Sequence, residues 1–392
     1  MTRGRLENGR SAPAPAPAPV AGRDLLAEGE RIMTICNACR YCEGFCAVFP
    51  AMERRLTFAE ADLNYLANLC HNCAECLRAC QYEPPHPFDV DVPNVLARIR
   101  QRSYEKYCWP SALGALYRHS DVTAVLALTL ALLVLMLSAT AAFGAHGLAG
   151  TGRAADFYGI IPHAVLAYLF GAVFLLVVVA LSLGLRRYLG ETAGPPAMRT
   201  RGALAAGLRD AFSLKYLHGS GRDCGSDETN RGPWRRVFHH LTFYGFLLCF
   251  AATCIATVYH VLLDRQAPYP WLSLPVLLGA TGGIGLVVGP LGLAWSRRSL
   301  SPALLDPEHR SLDRGFVCAL VLTSLTGLAL LVGRATSAMG WLLLVHLASV
   351  MALFVTLPYG KFVHGLYRTA ALVQFARESR APRPDGAPHA VG

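Results

Sequence analysis

The sequence predicts an all-α protein in which a small, helical, cysteine-rich domain precedes a six-helix transmembrane bundle. Three observations predict it. Eight of the thirteen cysteines fall between Cys36 and Cys80, six uncharged apolar stretches follow from Val122 onward, and only 16% of the 392 residues are charged while 53% are hydrophobic. The mean hydropathy of +0.36 suits a chain with most of its length in lipid, not one that must cover itself with polar surface.

Residues 1–23 are a Pro/Ala-rich tail, with A-P-A-P-A-P-A-P-V from Ala12 to Val20, expected to be disordered or loosely polyproline II. The tail is basic and has no apolar h-region, so no secretory signal is expected ahead of the cysteines. A dense cysteine cluster on the reducing side of a membrane points to metal binding rather than disulfides. Residues 24–110 form the cysteine domain, whose spacers, such as Leu56–Leu69, read as short helices.

Two cysteine runs share one spacing. Cys36-x2-Cys39-x2-Cys42-x3-Cys46 is followed by Cys70-x2-Cys73-x2-Cys76-x3-Cys80. Three thiolates two residues apart can grip three irons of one cubane, and the fourth ligand comes from elsewhere. The spacing therefore predicts a ferredoxin-like domain with two [4Fe–4S] clusters: one on Cys36, Cys39, Cys42 and Cys80, the other on Cys70, Cys73, Cys76 and Cys46. Structural zinc is the alternative, but zinc needs neither a third regular cysteine nor a repeat of the whole pattern. Ala47 and Gln81 stand where the ferredoxin signature usually carries proline. Cys108, Cys224, Cys249, Cys254 and Cys318 have no ligand spacing, and the last three read as small residues within spans.

The membrane domain is expected over residues 115–370, with a flexible tail at 371–392. Its spans read as Val122–Phe143, Ile160–Leu185, Leu241–Leu263, Leu272–Trp295, Phe316–Gly333 and Trp341–Leu357, each able to cross a hydrocarbon core of about 30 Å. Basic residues alternate between loops. Arg98, Arg100, Arg102, Lys106 and Arg118 precede the first span, ten Lys/Arg lie from Arg186 to Arg236, and Arg297, Arg298, Arg310 and Arg314 fill the fourth loop. The tail adds Lys361, Arg368, Arg377, Arg380 and Arg383. The other loops carry only Arg153, Arg265 and Arg334. The positive-inside rule then puts both termini and the cysteine domain in the cytoplasm. The net charge of +10 is spread between apolar runs, so no nucleic-acid footprint is formed.

Ionisable residues within spans are costly and suggest function. The third span opens with His239-His240 and closes with His260; the sixth contains His346 and is followed by His364. On one continuous helix, His346 and His364 would share a side and stand about 27 Å apart. His260 would then meet His346 near the outer face, and His239 or His240 would meet His364 near the inner face. Opposed imidazoles at one depth can hold a b-type haem, one or two in all. Interhelical hydrogen bonding is the alternative. His163, near the outer end of the second span, is a rival ligand or a lining residue of a quinone pocket, while His119 and His218 read as surface residues. Pro358 should kink the helix end, and Lys361 is either a cation for a haem propionate or an interfacial anchor.

The stretch from His346 to His364 resembles the haem-binding helix of the nitrate reductase gamma subunit. The segment from Arg235 to His260, RRVFHHLTFYGFLLCFAATCIATVYH, with the Lys215–Gly219 run before it, is similar to the tricarballylate utilisation protein B (CitB-type) family, as is the order of parts over roughly residues 30–375. The resemblance implies an electron shuttle in the bacterial inner (cytoplasmic) membrane. It would reoxidise the flavin of a partner FAD-dependent dehydrogenase and pass electrons through clusters and haem to the quinone pool. The loop from Lys215 to Arg236 would be its dock.

No Gly-rich dinucleotide fingerprint opens a βαβ unit, and the Gly279–Gly289 glycines sit within a span, where they suit close helix packing. No catalytic constellation for an organic substrate is present, so quinone reduction is the one reaction the chain itself would perform. Two other readings remain: the electron-transfer subunit of a different reductase, or a membrane iron or redox sensor, which would need no transmembrane histidine pairs.

Overall fold

The computed structural model describes residues 24–143, 157–193, 201–217, 232–297 and 307–381, and every regular element among them is helical. The tail at 1–23, His218 and Cys224 lie outside these residues, as does most of the loop expected to dock a partner.

The first part is a lobe of five helices. Asp24 caps α1 (Leu25–Cys39) by accepting from the Leu26 N–H at 3.2 Å. After α2 (Val48–Met52), α3 (Glu60–Leu69) and the single turn α4 (Glu75–Arg78) comes α5 (Val92–Tyr107). Asp91 caps α5 through the Asn94 N–H, with Pro93 in the first turn, where its missing donor costs nothing. Helices α1, α3 and α5 close on a core that includes Ile32, Met33, Leu63, Leu66, Leu96 and Ile99.

A 3-10 helix at Ser111–His119 leads into α6 (Ser120–Phe143). Then follow α7 (His163–Thr192), α8 (Ala203–Phe212), α9 (Gly232–Leu263), α10 (Leu274–Arg297), α11 (Pro307–Gly333), α12 (Met339–Thr356) and α13 (Val363–Glu378). All of these except α8 and α13 are long and apolar enough to cross a membrane, six helices in all. Leu126, Leu130, Leu133 and Leu137 lie exposed at the spacing of a single helix face on α6, a surface that suits lipid.

Helices α9 and α10 pack backbone to backbone. A Cβ on Gly282 would lie 2.8 Å from the Cys249 sulfur and from the Gly245 carbonyl; one on Gly289 would lie 2.6 Å from the Thr242 nitrogen. The expected role of these glycines in close packing is what the structure shows.

Two expectations need correction. The sixth span does not run on to His364. Helix α12 ends at Thr356, Leu357–Tyr359 make one 3-10 turn, Gly360 is extended, and α13 starts afresh at Val363. Pro358 lacks a donor N–H and disfavours helix in the residue before it, so the chain breaks rather than kinks. His346 and His364 therefore lie on different helices.

The segment from 371 is likewise no flexible tail as far as it is described. Helix α13 continues to Glu378, burying Ala371, Leu372 and Ala376 against α3 and α8. Glu378 pairs with Arg55 at 2.8 Å and accepts from the Tyr65 hydroxyl at 3.1 Å, while the Gln374 amide donates to the Thr192 carbonyl of α7 at 3.0 Å. Helix α13 thus fastens the lobe to the membrane bundle. Residues 382–392 lie outside the described residues.

Candidate redox site

The eight cysteines line two cavities, and each cavity takes three cysteines from one run and the fourth from the other. Cys36, Cys39, Cys42 and Cys80 line one, with Tyr41 and Tyr82; Cys46, Cys70, Cys73 and Cys76 line the other, with His71, Tyr216 and Arg368. This is the crosswise sharing that the spacing predicts. Among the described residues, no three Cys, His, Asp or Glu side chains close to the spacing of a single metal ion.

The loops are shaped for this. Asn72 and Ala74 hold left-handed backbone conformations, φ 54° and 64°, which non-glycine residues adopt at a cost of about 1–3 kcal/mol each. The turn at Asn72 brings its N–H to the Cys70 sulfur at 3.3 Å, and the Tyr82 N–H reaches the Cys80 sulfur at 3.4 Å. Burial pushes the Cys36 thiol up to about 12, with the Cys80, Cys42 and Cys39 sulfurs adding to the shift, and it raises Cys46, Cys73 and Cys76 as well. Thiols in such a setting become thiolates when a cation centre holds them, so loading releases protons.

The two cavities differ in exposure and charge. Cys39 is exposed, and Tyr41 beside it is 60% exposed. The second cavity is buried where the lobe meets the bundle, and three guanidiniums grip its loop. Arg100 donates to the Cys70 carbonyl at 2.6 Å, Arg235 of α9 donates to those of Asn72 and Cys73 at 3.0 and 3.1 Å, and Arg368 of α13 donates to that of Leu69. Burial pulls Arg368 down to about 10, which leaves it charged at neutral pH.

Beside the second cavity stands a group of imidazoles. The His71 ring lies 5.8 Å from that of His239, at the head of α9, and 5.9 Å from that of His364, at the head of α13. His364 is oriented through its Nδ1, which lies 3.0 Å from the Tyr104 hydroxyl. His71 Nε2 is buried with no hydrogen-bond partner. Burial, with Arg368 nearby, holds His71 well below the ordinary imidazole range, hence neutral and able to act as a ligand. His240 is turned away from this group: it accepts from Arg236 at 3.3 Å and stacks on Tyr244. One residue along a helix is a turn of about 100°, which separates His239 from His240.

At the other end of the bundle the expected pair is not formed. His260 lies against His163 with ring centres 3.8 Å apart and planes tilted by 31°, and Tyr158 stands 5.1 and 5.3 Å from the two rings. His346 instead places its Nδ1 3.2 Å from the Thr326 hydroxyl and lies against Gly327, where a Cβ would come within 2.8 Å of the ring. Helix α12 packs on α6 and α11, whereas α9 packs on α10, so depth alone did not bring His260 and His346 together. His163, the rival from the second span, takes the place.

Lys361 is committed to an ion pair with Asp313 of α11. His119 is exposed, as expected. Cys108 is buried with its sulfur near the Pro110 carbonyl, Cys249 packs against Gly282, and Cys254 and Cys318 are exposed.

Sequence reasoning missed His71 and the guanidinium clamp. His71 was hidden as a spacer residue inside Cys70-x2-Cys73, although an imidazole between two ligand cysteines is itself a signal.

The family described as citrate utilization protein B matches residues 117–385, and its Fer4-like domain matches residues 29–106. A protein of Escherichia coli named citrate utilization protein B is 51% identical over 361 residues, which cover 92% of this chain and 94% of that protein. No solved structure matches the chain.

Proposed function

The chain belongs to the citrate utilization protein B family, with a Fer4-like domain ahead of its apolar helices, and from that premise we propose that it is a membrane electron carrier. In this reading it takes electrons from a partner FAD-dependent dehydrogenase acting on tricarballylate or a related tricarboxylate. Two [4Fe–4S] clusters and one b-type haem, when bound, supply one-electron steps toward a membrane quinone. The lobe faces the cytoplasm, on the side where basic loops accumulate.

The observation that carries the reading is continuity. The exposed cysteine set around Cys39 adjoins the buried set around Cys70, and His71, the next residue, touches the imidazoles at the heads of α9 and α13. The exposed Tyr41 and Cys39 face the donor side. Arg100, Arg235 and Arg368 offset negative charge at the buried set, favouring the arrival of electrons there.

The two histidine groups fit different ligands. Two metal–nitrogen bonds of about 2 Å each, plus the ring radii, need imidazole centres about 6 Å apart. The separations of 5.8 and 5.9 Å near the lobe meet that need; the 3.8 Å between His163 and His260 does not. At the far end, this reading assigns His163, His260 and Tyr158 to hydrogen-bond a quinone and to supply its protons. The buried, unpartnered Nδ1 of His260 is open for such a bond.

The test is turnover in proteoliposomes containing the purified protein, a reduced flavin donor outside and a short-chain quinone. Quinol formation that is lost in Cys73→Ser and falls in His163→Ala supports the reading. Clusters that reduce with no quinol formed contradict it.

A further inference from the structure

We propose that α8 is a lipid-binding helix at the membrane boundary on the lobe's side of the bundle. It sinks Leu204, Leu208 and Phe212 among the acyl chains and offers Arg209 and Lys215 to anionic phospholipid headgroups. This seating requires only that the long apolar helices cross a membrane, and neither haem nor quinone.

Helix α8 has three sides. Ala203, Gly207 and Asp210 are buried, and the helix is pressed so closely on α13 that a Cβ at Gly207 would lie 2.5 Å from the Val373 Cα. Leu204, Leu208 and Phe212 are exposed, Leu204 by 60%. At about 100° per residue these three fall within an arc of about 80°, away from the side that α13 covers. Such a stripe is costly in water and suited to lipid. About 60° past Phe212 on the helix comes Arg209. Its side chain is 76% exposed, and that of Lys215, in the 3-10 turn at Lys215–Leu217, is 55% exposed. Both cations stand 3.8 Å from Asp210, and two cations beside one carboxylate leave positive charge in excess.

The contact with α9 fixes the level of α8. Phe212 meets Phe243 with ring centres 5.3 Å apart, and its carbonyl accepts from the Tyr244 hydroxyl at 3.1 Å. From Leu241 to Leu263, α9 carries no Asp, Glu, Lys or Arg, whereas Arg235 and Arg236 lie just before that run. The C-terminal end of α8 therefore stands at the first turn of the uncharged run, where hydrocarbon gives way to headgroups. Leu241, Tyr244 and Leu247 of α9 are exposed and continue the apolar stripe into the lipid-facing surface of the bundle. An inserted apolar stripe flanked by basic side chains is the pattern that binds anionic leaflets. Lipid contact at α8 bears on the lobe as well, because α13, on which α8 packs, donates from Arg368 to the Leu69 carbonyl beside the second cysteine run.

The test uses the full chain carrying Leu208→Trp, reconstituted in vesicles of phosphatidylcholine and phosphatidylglycerol with brominated acyl chains, with wild-type emission subtracted. Quenching of the added tryptophan is expected. Unquenched emission, whether water-like or shielded by protein, overturns the proposal. The headgroup contact is read separately, by mass spectrometry of the detergent-purified chain titrated with phosphatidylglycerol. Arg209→Gln/Lys215→Gln is expected to weaken retention of that lipid roughly 25-fold, about fivefold for each basic residue near an anionic surface, with an unchanged melting temperature. Retention equal to wild type overturns the assignment to anionic lipid. Should the double variant melt early, Arg209→Gln alone is read in its place: a loss of about fivefold supports the assignment, and wild-type retention overturns it.

Discussion

Arg235, in the first turns of the third apolar helix, donates to the carbonyl of Cys73, in the second cysteine run, at 3.1 Å. The bundle thus holds the second cysteine loop directly, and the same guanidinium also reaches the Asn72 carbonyl. Charge and hydrogen bonding near a cluster are the levers that set its potential.

Replacing Arg235 with Gln should therefore lower the midpoint of the second cluster by up to about 130 mV. A hydrogen bond from a charged group is worth about 1.5–3 kcal/mol, and 59 mV corresponds to about 1.4 kcal/mol for one electron. Redox titration followed by electron paramagnetic resonance checks it. The first cluster, lined by Cys36, Cys39, Cys42 and Cys80, should not move.

The crosswise cavities make opposite predictions for two serines. Cys80→Ser should remove or convert the cluster built on the first run, and Cys46→Ser the cluster built on the second. Each variant should lose up to about four of some eight non-haem irons. Iron and sulfide analysis with cluster-resolved spectra gives the answer, and damage confined to the cluster of the variant's own run would contradict the crosswise sharing.

The His163 and His260 ring centres, 3.8 Å apart, are too close to be two ligands of one iron, so the proposed reading assigns the far end to quinone rather than haem. His163→Ala and His260→Ala should leave haem content unchanged and slow quinol formation roughly 100–10,000-fold, in line with the loss of a positioned proton donor. A pyridine haemochrome assay beside quinone turnover tests both halves.

Gly289 and Gly171 should behave oppositely. A Cβ at Gly289 meets the Thr242 backbone at 2.6 Å, whereas one at Gly171 meets nothing within 4 Å. Gly289→Leu should destabilise the α9–α10 pair by about 1–3 kcal/mol or more, as overpacking does, and disturb His239 on the same helix. Gly171→Ala should be neutral or stabilising by up to about 1 kcal/mol. Thermal denaturation in detergent distinguishes them.

The parts of this molecule that are written as spacing were legible in its sequence. Cysteines at fixed intervals forced the crosswise cavities, because three of them close one loop and the fourth must come from elsewhere. Six uncharged stretches gave six long helices. Azimuth was not legible. The depth of His260 and His346 could be read from position in a span, but which neighbour each would face depends on packing around the bundle. Gly282 and Gly289 committed α9 to α10, and Gly327 made room for His346 against α11. The proline and glycine at 358 and 360 spelled a break, yet the matching turn count from His346 to His364 argued for continuity. The extent of α13 was hidden because its mean apolarity is low, and its order comes from contacts with Arg55, Tyr65 and Thr192, distant in sequence.

The most direct test of the central claim, that clusters and haem share this chain, is its reduced-minus-oxidised spectrum with iron, sulfide and haem counted per chain. About eight non-haem irons and one low-spin b haem are expected in the haem-replete, detergent-solubilised protein. Iron and sulfide in that amount with no haem would contradict it.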